Sequence, residues 1–251
     1  GHAGAERLMD AARLLANRGV QMVEAVVVEA DSVRFPIAEL ATRLRVEPGS
    51  DDYADLARLA AEAEGVARPK AYYRLAYVEA KGDDYVVVDG VRLTSRVLRV
   101  NLETADRLFA QVATCGVELD RWAHGLDDVL WEFWGEAIKE AALRQAIQAL
   151  RGDLEARYRP AKSAQMAPGS LPDWPIGEQR PLFGLLGDVE GAIGVRLTPS
   201  MLMVPNKSTS SVRFETETDF QSCLLCPREG CPNRRAPYDG ALYQSRFQQR
   251  P

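Results

Sequence analysis

The sequence has few of the residues that form zinc sites and disulfides, and it lacks a basic excess and long apolar runs. Its 251 residues include two histidines and four cysteines, which excludes a His-rich zinc site and a scaffold held together by disulfides. Basic residues are outnumbered by acidic ones, 31 to 36, whereas a general nucleic-acid binder usually carries a basic excess. No apolar run approaches the roughly 18 residues that suggest a membrane span. We therefore expect a protein with no nucleic-acid or membrane partner.

The glycine motifs of nucleotide-binding proteins are also missing. No G-x-G-x-x-G follows a predicted strand and no G-x-x-x-x-G-K occurs, so the backbone cradles of dinucleotide and P-loop sites are absent. Residues 5–19 are typical of an amphipathic helix with charges throughout and not of a secretory signal. We expect a cytoplasmic protein whose thiols stay reduced.

What is present is a globular composition, 46% hydrophobic and 27% charged. Helical spacing, β-branched runs and the positions of Gly and Pro predict the elements of the fold. Helices are expected at 5–17, 37–44, 51–64, 102–109, 127–158 and 176–186, and strands at 23–28, in hairpins across 72–100 and in a second hairpin system across 193–216. We interpret the aromatic and aliphatic stripe of the long helix as core. The composition of residues 159–175 predicts an irregular loop, and structureless loops of that length are often functional.

Shifts in composition divide the chain into three segments. We expect a helical and strand segment at 1–66 that packs on the main domain, a core domain at 67–216, and a Cys-rich tail at 217–251.

The densest chemical signal is a C-x2-C-x4-C array of Cys223, Cys226 and Cys231 in a tail rich in turns. Soft thiolates at this spacing favour an iron–sulfur cluster or zinc, and either needs a fourth ligand. Cys115 is the candidate for that position, and a buried core thiol is the alternative. A disulfide or free thiols are the alternative for the array itself.

Several sequence blocks, in a fixed order, resemble the activation domain of cobalamin-dependent methionine synthase and, more closely, the stand-alone proteins built on that domain. The blocks are the A-P-G loop at Ala167–Gly169, the helix start Glu178-Gln179, and the P-x-K-S-x-S turn from Pro205 to Ser210. The stretch 91–118 and the long helix after it resemble the stand-alone relatives. The resemblance runs from about residue 70 to about residue 215.

The resemblance implies an α+β domain, a twisted antiparallel β-sheet flanked by helices, with a concave face that caps a corrinoid-bearing partner. It implies that the A-P-G loop binds S-adenosylmethionine (AdoMet) largely through backbone groups, and that AdoMet remethylates cobalamin after a one-electron reduction. It also implies that the P-x-K-S-x-S turn lies toward the corrinoid. The residues that it assigns to cofactor binding are Ala167, Gly169, Pro205, Lys207, Ser208 and Ser210.

Two positions depart from the methionine synthase pattern. Gln165 stands where those proteins have an Arg, a fixed fork of donors that can hold a carboxylate. Ser170 stands where they have a Tyr, a rigid ring that can cover a ligand. The Cys-rich tail is likewise no part of the methionine synthase domain.

Our hypothesis from the sequence is a partner of a cobalamin-binding methyltransferase or corrinoid protein that assists the reductive reactivation of cob(II)alamin. In this hypothesis the cysteine array ligates an iron–sulfur cluster that relays electrons. The alternative is a non-catalytic binding module in which the same cysteines hold structural zinc and pin the tail to the domain.

Overall fold

The fold is described from a computed structural model over residues 25–160 and 162–248. The helix predicted at 5–17 and the start of the strand predicted at 23–28 lie outside the described residues. The strands are β1 (Val26–Glu29), β2 (Lys70–Lys81), β3 (Tyr85–Val88), β4 (Val91–Thr94), β5 (Arg107–Thr114), β6 (Ser163–Met166), β7 (Arg196–Leu197), β8 (Met203–Val204) and β9 (Ser208–Glu215). The α-helices are α1 (Ile37–Leu44), α2 (Asp51–Val66), α3 (Arg96–Asn101), α4 (Val117–His124), α5 (Val129–Tyr158), α6 (Gln179–Leu186) and α7 (Val189–Ile193).

An antiparallel sheet runs through the described residues in the order β4-β3-β2-β5-β9-β6, and β1 pairs with the first half of β2. Strands β2, β3 and β4 are consecutive and are joined by tight turns, as the hairpin pattern predicts. Strand β9 pairs on one side with β5 and on the other with β6, which precedes it by more than forty residues. Strands β7 and β8 form a separate small hairpin.

Each face of the sheet packs against its own set of helices. Alternate strand residues such as Leu108, Ala110 and Val212 face α3, α6 and α7, and the tail adds Phe220, Leu225 and Phe247 to this layer. On the other face, Tyr73 and Phe109 pack against α5. The first half of α5 packs with α1, α2 and α4 in a third cluster. The molecule is therefore an α+β protein with helices on both faces of an antiparallel sheet, which confirms the predicted fold class.

The long helix is confirmed in extent, with a correction to its stripe. Asp128 caps α5 by accepting hydrogen bonds from the backbone N–H groups of Leu130 and Trp131. Trp134 and Ile138 are buried as predicted, whereas Leu130 and Phe133 are 43% and 61% exposed. The apolar stripe reaches past the edge of the core, so the first turns of α5 present apolar side chains on the surface.

Three predictions of local structure were wrong. The hairpins expected across 72–100 end at Thr94, and the chain then forms helix α3, which Ser95 caps by accepting from the Leu98 N–H. Residues 102–109 do not form a helix, because α3 ends at Asn101 and β5 begins at Arg107. Apolar residues recur there at helical spacing, yet both faces of β5 are buried, and a strand buried on both sides loses the alternation that identifies it. The irregular loop predicted at 159–175 contains β6, a short strand whose pairing with β9 is a long-range contact.

The other helix predictions that fall within the described residues hold with small shifts. Strand β1 and helices α1 and α2 occupy the predicted positions, and the predicted helix at 176–186 is a 3-10 turn followed by α6. No helix among the described residues is long and apolar enough to cross a membrane. The predicted division into three segments stays a prediction.

Candidate functional site

The loop that follows β6 is tightly folded around Gly169. The Gly169 N–H donates to the Trp174 carbonyl at 2.7 Å, and Gly169 has a φ of +81°. A Cβ at this position would lie 2.8 Å from Cδ1 of Ile176, so the loop requires glycine both for its backbone conformation and for space. Ala167 is half-buried and Gly169 is exposed, which leaves part of the loop backbone open to a ligand.

Two carboxylates fasten this loop to the start of α3. Asp173 Oδ2 accepts from the Ser95 hydroxyl and from the Val97 N–H at 3.0 Å. Glu178 Oε2 accepts from the Thr94 N–H at 2.7 Å. Because both carboxylates are occupied by these contacts, they position the loop.

A cleft of about 540 Å³ opens between this loop and the C-terminal tail. The loop contributes Leu171, Pro172 and Asp173, and the tail contributes Tyr238 and Tyr243 among others. The Tyr243 hydroxyl donates to Asp173 Oδ1 at 3.4 Å, and burial, together with the Asp173 charge, raises the pKa of this phenol. Sequence reasoning missed the tail residues, since only the fold brings residues 238–243 to the loop.

Gln165, which precedes the loop, is not an isolated amide. Its Oε1 accepts from Nη2 of Arg213 at 3.0 Å, and its Nε2 donates to the Ser211 hydroxyl at 2.9 Å. Gln165 and Arg213 are register partners on β6 and β9. A guanidinium is therefore present beside the loop, although on the strand next to the one that the resemblance indicates.

The turn from Pro205 to Ser210 begins β9 and is held by side chains. Lys207 Nζ pairs with Glu136 of α5 at 3.2 Å, and the Ser208 hydroxyl donates to Thr114 Oγ1 at 2.8 Å. The Ser210 hydroxyl donates to Oε1 of Gln179 at 3.3 Å. Gln179 begins the helix that follows the A-P-G loop, so the start of this helix contacts the P-x-K-S-x-S turn. Pro205 and Ser210 are buried, and Lys207 and Ser208 are half-buried.

Beneath this turn lies Lys139, a lysine whose side chain has no exposed surface. Its ammonium group contacts Asp120 at 2.9 Å, Glu136, and Oδ1 of Asn206 at 3.0 Å. Burial lowers the pKa of Lys139, but these contacts raise it more, so the pKa lies above its ordinary value. Burial raises the pKa of Glu136 while Lys139 and Asn206 lower it, and the net pKa lies below its ordinary value. Lys139 is thus a buried, charged residue that holds the turn in place. The sequence did not indicate this role.

An exposed apolar cluster adjoins the same turn. Val129 is 83% and Phe133 61% exposed, on the first turns of α5. Both line a cleft of about 420 Å³ together with His124 and Glu136. Glu136 also contacts Asn206 and Lys207, so the cluster and the turn are continuous. His124 is exposed and contacts the carbonyl of Asp120, consistent with a structural or solvent-facing histidine.

Cys115 is a core thiol. It is completely buried, in the cluster formed by α1, α2, α4 and α5, and burial is the largest cause that raises its pKa to about 12. Cys226, by contrast, packs against the cluster on the opposite face of the sheet. The structure gives no support to Cys115 as a fourth ligand.

The three tail cysteines are free, half-buried thiols. Among the described residues no three His, Cys, Asp or Glu side chains stand close enough together to hold a metal ion, so the tail as folded here does not fit zinc or an iron–sulfur cluster. Burial raises the pKa of Cys223, but backbone N–H groups of Arg235 and Ala236 and the Arg235 charge lower it further, to a net value below the ordinary one. We therefore expect Cys223 to be a reactive thiol of the tail.

Comparison with known proteins gives a likeness of fold. No family model and no curated protein matches the sequence. Among solved structures, the fold is similar to the MetH reactivation domain bound to AdoHcy. The TM-score is 0.53 at 17% sequence identity, over 79% of this chain and 81% of that one. At this identity the likeness supports a relation of fold, and it agrees with the fold that the sequence blocks imply.

Proposed function

We propose that this protein is a corrinoid-protein partner that assists the reductive reactivation of cob(II)alamin and takes AdoMet as methyl donor. The observation that carries the proposal is the contact between the helix start Glu178-Gln179 and the P-x-K-S-x-S turn, in which the Ser210 hydroxyl donates to Gln179 Oε1, in a fold similar to the MetH reactivation domain. One electron reduces cob(II)alamin to cob(I)alamin. That species takes the methyl group of AdoMet, which leaves methylcobalamin and S-adenosylhomocysteine (AdoHcy).

The loop at 167–175 is the proposed AdoMet site. The similar solved domain was crystallised with AdoHcy, which is AdoMet without its transferred methyl group. In this chain the open backbone at Ala167 and Gly169 and the adjoining cleft with its two tyrosines supply what such a ligand needs. Polar backbone groups orient it, and aromatic and apolar walls cover its adenosine.

The turn at 205–210 and the exposed cluster of Val129, Leu130 and Phe133 form the proposed docking face. Large apolar side chains that are this exposed commonly mark a surface that binds a partner. The cluster adjoins the turn that the resemblance places toward the corrinoid, so we assign to it the corrinoid-bearing protein. Lys139 and Glu136 fix the turn against α5 and thereby join the two parts of this face.

The cysteine tail enters this proposal only as a prediction to be tested. The thiols as placed do not fit a metal, so no electron is routed through them, and the reductant is supplied externally. Iron, zinc and acid-labile sulfide measured on protein purified without oxygen, for wild type and Cys226→Ser, decide between a cluster, structural zinc and free thiols. Zinc lost in the variant, without any effect on cob(II)alamin, would favour the non-catalytic module.

Titration calorimetry with AdoHcy tests the ligand site. We expect one binding site per chain, and Tyr238→Ala should weaken binding about tenfold because a stacked ring contributes on the order of 1.4 kcal/mol. Tyr77→Ala is the matched control, since Tyr77 is similarly exposed on β2 and does not line the cleft. Absence of binding in wild type would remove the AdoMet part of the proposal.

A charge in the apolar cluster tests the docking face. Phe133→Glu should weaken association with a cobalamin-binding fragment of methionine synthase and leave AdoHcy affinity unchanged. Val27→Glu places the same charge on β1, at a position of comparable exposure. Equal association by both variants and wild type would contradict this face.

A further inference from the structure

The cleft between the A-P-G loop and the C-terminal tail carries charge of one sign. Its volume of about 540 Å³ is enough for a ligand of nucleoside size. Two carboxylates line it, Asp173 from the loop and Asp239 from the tail. No lysine, arginine or histidine lines it within the part of the chain that the structure describes. The cleft therefore favours a ligand that carries a positive charge.

The Asp173 carboxylate is fixed in position beside an aromatic ring. Its Oδ2 atom accepts from the Ser95 hydroxyl and the Val97 N–H, and its Oδ1 atom accepts from the Tyr243 hydroxyl at 3.4 Å. These three donors come from the start of α3 and from the tail, so the carboxylate is held from two sides. A negative charge and the Tyr243 ring therefore stand together in the cleft.

One basic side chain, Arg96, acts on this end of the cleft without lining it. The Arg96 guanidinium donates to the carbonyls of Phe247 and Asp83. Burial and then the Asp173 charge raise the pKa of Tyr243, and the Arg96 charge lowers it by less, so the net pKa lies above its ordinary value. The influence of Asp173 on Tyr243 thus exceeds that of Arg96, in agreement with a negative cleft.

Asp239 repeats the pairing of a carboxylate with a tyrosine. Its Oδ1 atom accepts from the N–H groups of Ala241 at 3.0 Å and Leu242 at 3.1 Å, and its Oδ2 atom has no hydrogen-bond partner among the described residues. Tyr238, which precedes it in the chain, lines the same cleft. Aromatic rings bind quaternary ammonium groups in proteins, and a sulfonium group resembles these in charge and shape.

We propose that this cleft selects its ligand by the sulfonium charge, through Asp173 and Asp239, and therefore binds AdoMet more tightly than AdoHcy. The inference rests on the proposed function, which assigns AdoMet to this loop and cleft. Methyl transfer to cob(I)alamin breaks the S–CH3 bond and leaves sulfur as a neutral thioether. The product then lacks the charge that held the substrate, which favours its release before the next AdoMet binds.

Titration calorimetry with AdoMet and AdoHcy measures the selectivity. We expect wild type to bind AdoMet about tenfold more tightly than AdoHcy, the effect of one cationic group beside aromatic rings and carboxylates. In Asp239→Asn the ratio should fall to about threefold or less, because the amide oxygen can keep both backbone hydrogen bonds while the charge is lost. Asp51→Asn, which removes an exposed carboxylate at the start of α2 and outside the cleft, is the matched control and should keep the full ratio.

Trimethylsulfonium tests the charge without the adenosine. Its methyl NMR signal should broaden with wild type and broaden less with Asp239→Asn, whereas the signal of neutral dimethyl sulfide should not change.

The outcomes separate this inference from the proposed function. Equal affinities for AdoMet and AdoHcy in wild type, or a preference that Asp239→Asn keeps in full, would overturn the selection by charge and leave the AdoMet site in place. A protein that binds trimethylsulfonium but neither nucleoside would retain the cationic cleft and remove AdoMet from the proposed function.

Discussion

Gln165 and Arg213 face each other across the β6–β9 ladder, with 3.0 Å between Oε1 of the amide and Nη2 of the guanidinium. The sequence resemblance assigns an Arg to the position of Gln165, whereas this chain carries its guanidinium on the neighbouring strand. We expect the two arrangements to exclude each other, because two guanidinium groups at these positions would repel each other.

The first prediction concerns this exclusion. Gln165→Arg should lower the free energy of unfolding by about 2 kcal/mol, through like-charge repulsion and loss of the amide's hydrogen bonds. Gln165→Arg combined with Arg213→Gln should recover at least half of that loss. Chemical denaturation of the two single variants and the double variant measures the coupling. Strictly additive effects would mean that the two side chains do not interact.

The second prediction concerns Lys139, the buried lysine under the turn. Lys139→Met should lower the free energy of unfolding by about 3 kcal/mol, because it leaves Asp120 and Glu136 without their shared counter-ion. Lys162→Met removes an exposed lysine that pairs with Asp219 and should change stability by less than about 1 kcal/mol. Urea denaturation measures the free energy of unfolding of both variants. Equal losses of stability would show that Lys139 does not hold the turn in place.

The difference in stability between wild type and Lys139→Met should depend on pH. The pKa of Lys139 is raised, so its stabilisation is complete below the ordinary value of 10.5 and is lost as pH rises through the folded pKa. The pKa of Glu136 is lowered, so its stabilisation holds above 4.5 and is lost as pH falls through the folded pKa. The stability gap between wild type and Lys139→Met should therefore be widest near neutral pH and shrink at both extremes. A gap independent of pH would contradict these assignments.

The third prediction concerns the A-P-G loop. Gly169→Ala should cost about 1–2 kcal/mol and weaken AdoHcy binding, because φ is +81° and the added Cβ meets Ile176. Gly177→Ala, in the turn that follows, meets no atom within 4 Å and should be close to neutral. Thermal unfolding and calorimetry test both variants, and a neutral Gly169→Ala would mean that the loop is looser than described.

The fourth prediction concerns the thiols. With an aromatic disulfide reagent at pH 8, Cys223 should react fastest, since its pKa is lowered, and Cys115 should not react until the protein unfolds, since its pKa is about 12. Cys223→Ser should remove the fast phase, whereas Cys226→Ser should retain it. A fast phase that survives in Cys223→Ser would assign the activated thiol elsewhere.

The sequence predicted those parts of the fold whose signal is local. The apolar periodicity of the long helix and the turns around Gly82 and Gly90 are such signals, and they located α5 and the β2–β3–β4 hairpins. Strand β6 was missed because Ser163–Met166 is short and polar, and becomes a strand by pairing with β9.

The candidate site was predictable to the same extent. The A-P-G loop, the helix start Glu178-Gln179 and the P-x-K-S-x-S turn were visible as motifs, and the fold brings the last two into contact through Gln179 and Ser210. Lys139, Tyr243 and Arg213 were not visible, since each acquires its role from partners far away in sequence. The C-x2-C-x4-C spacing predicted a metal site, which stays a prediction: spacing fixes only which thiols can converge, and no three ligand side chains stand together among the residues that the structure describes.

The most direct test of the account is the fate of cob(II)alamin. The probe is a cobalamin-binding fragment of methionine synthase in its cob(II)alamin form, incubated with this protein, titanium(III) citrate and AdoMet under anaerobic conditions. The account predicts that the visible spectrum converts to that of methylcobalamin, with one AdoHcy formed per cobalamin, and that the conversion is lost without AdoMet and reduced in Phe133→Glu. A cob(II)alamin spectrum that this protein leaves unchanged, with and without AdoMet, would contradict it.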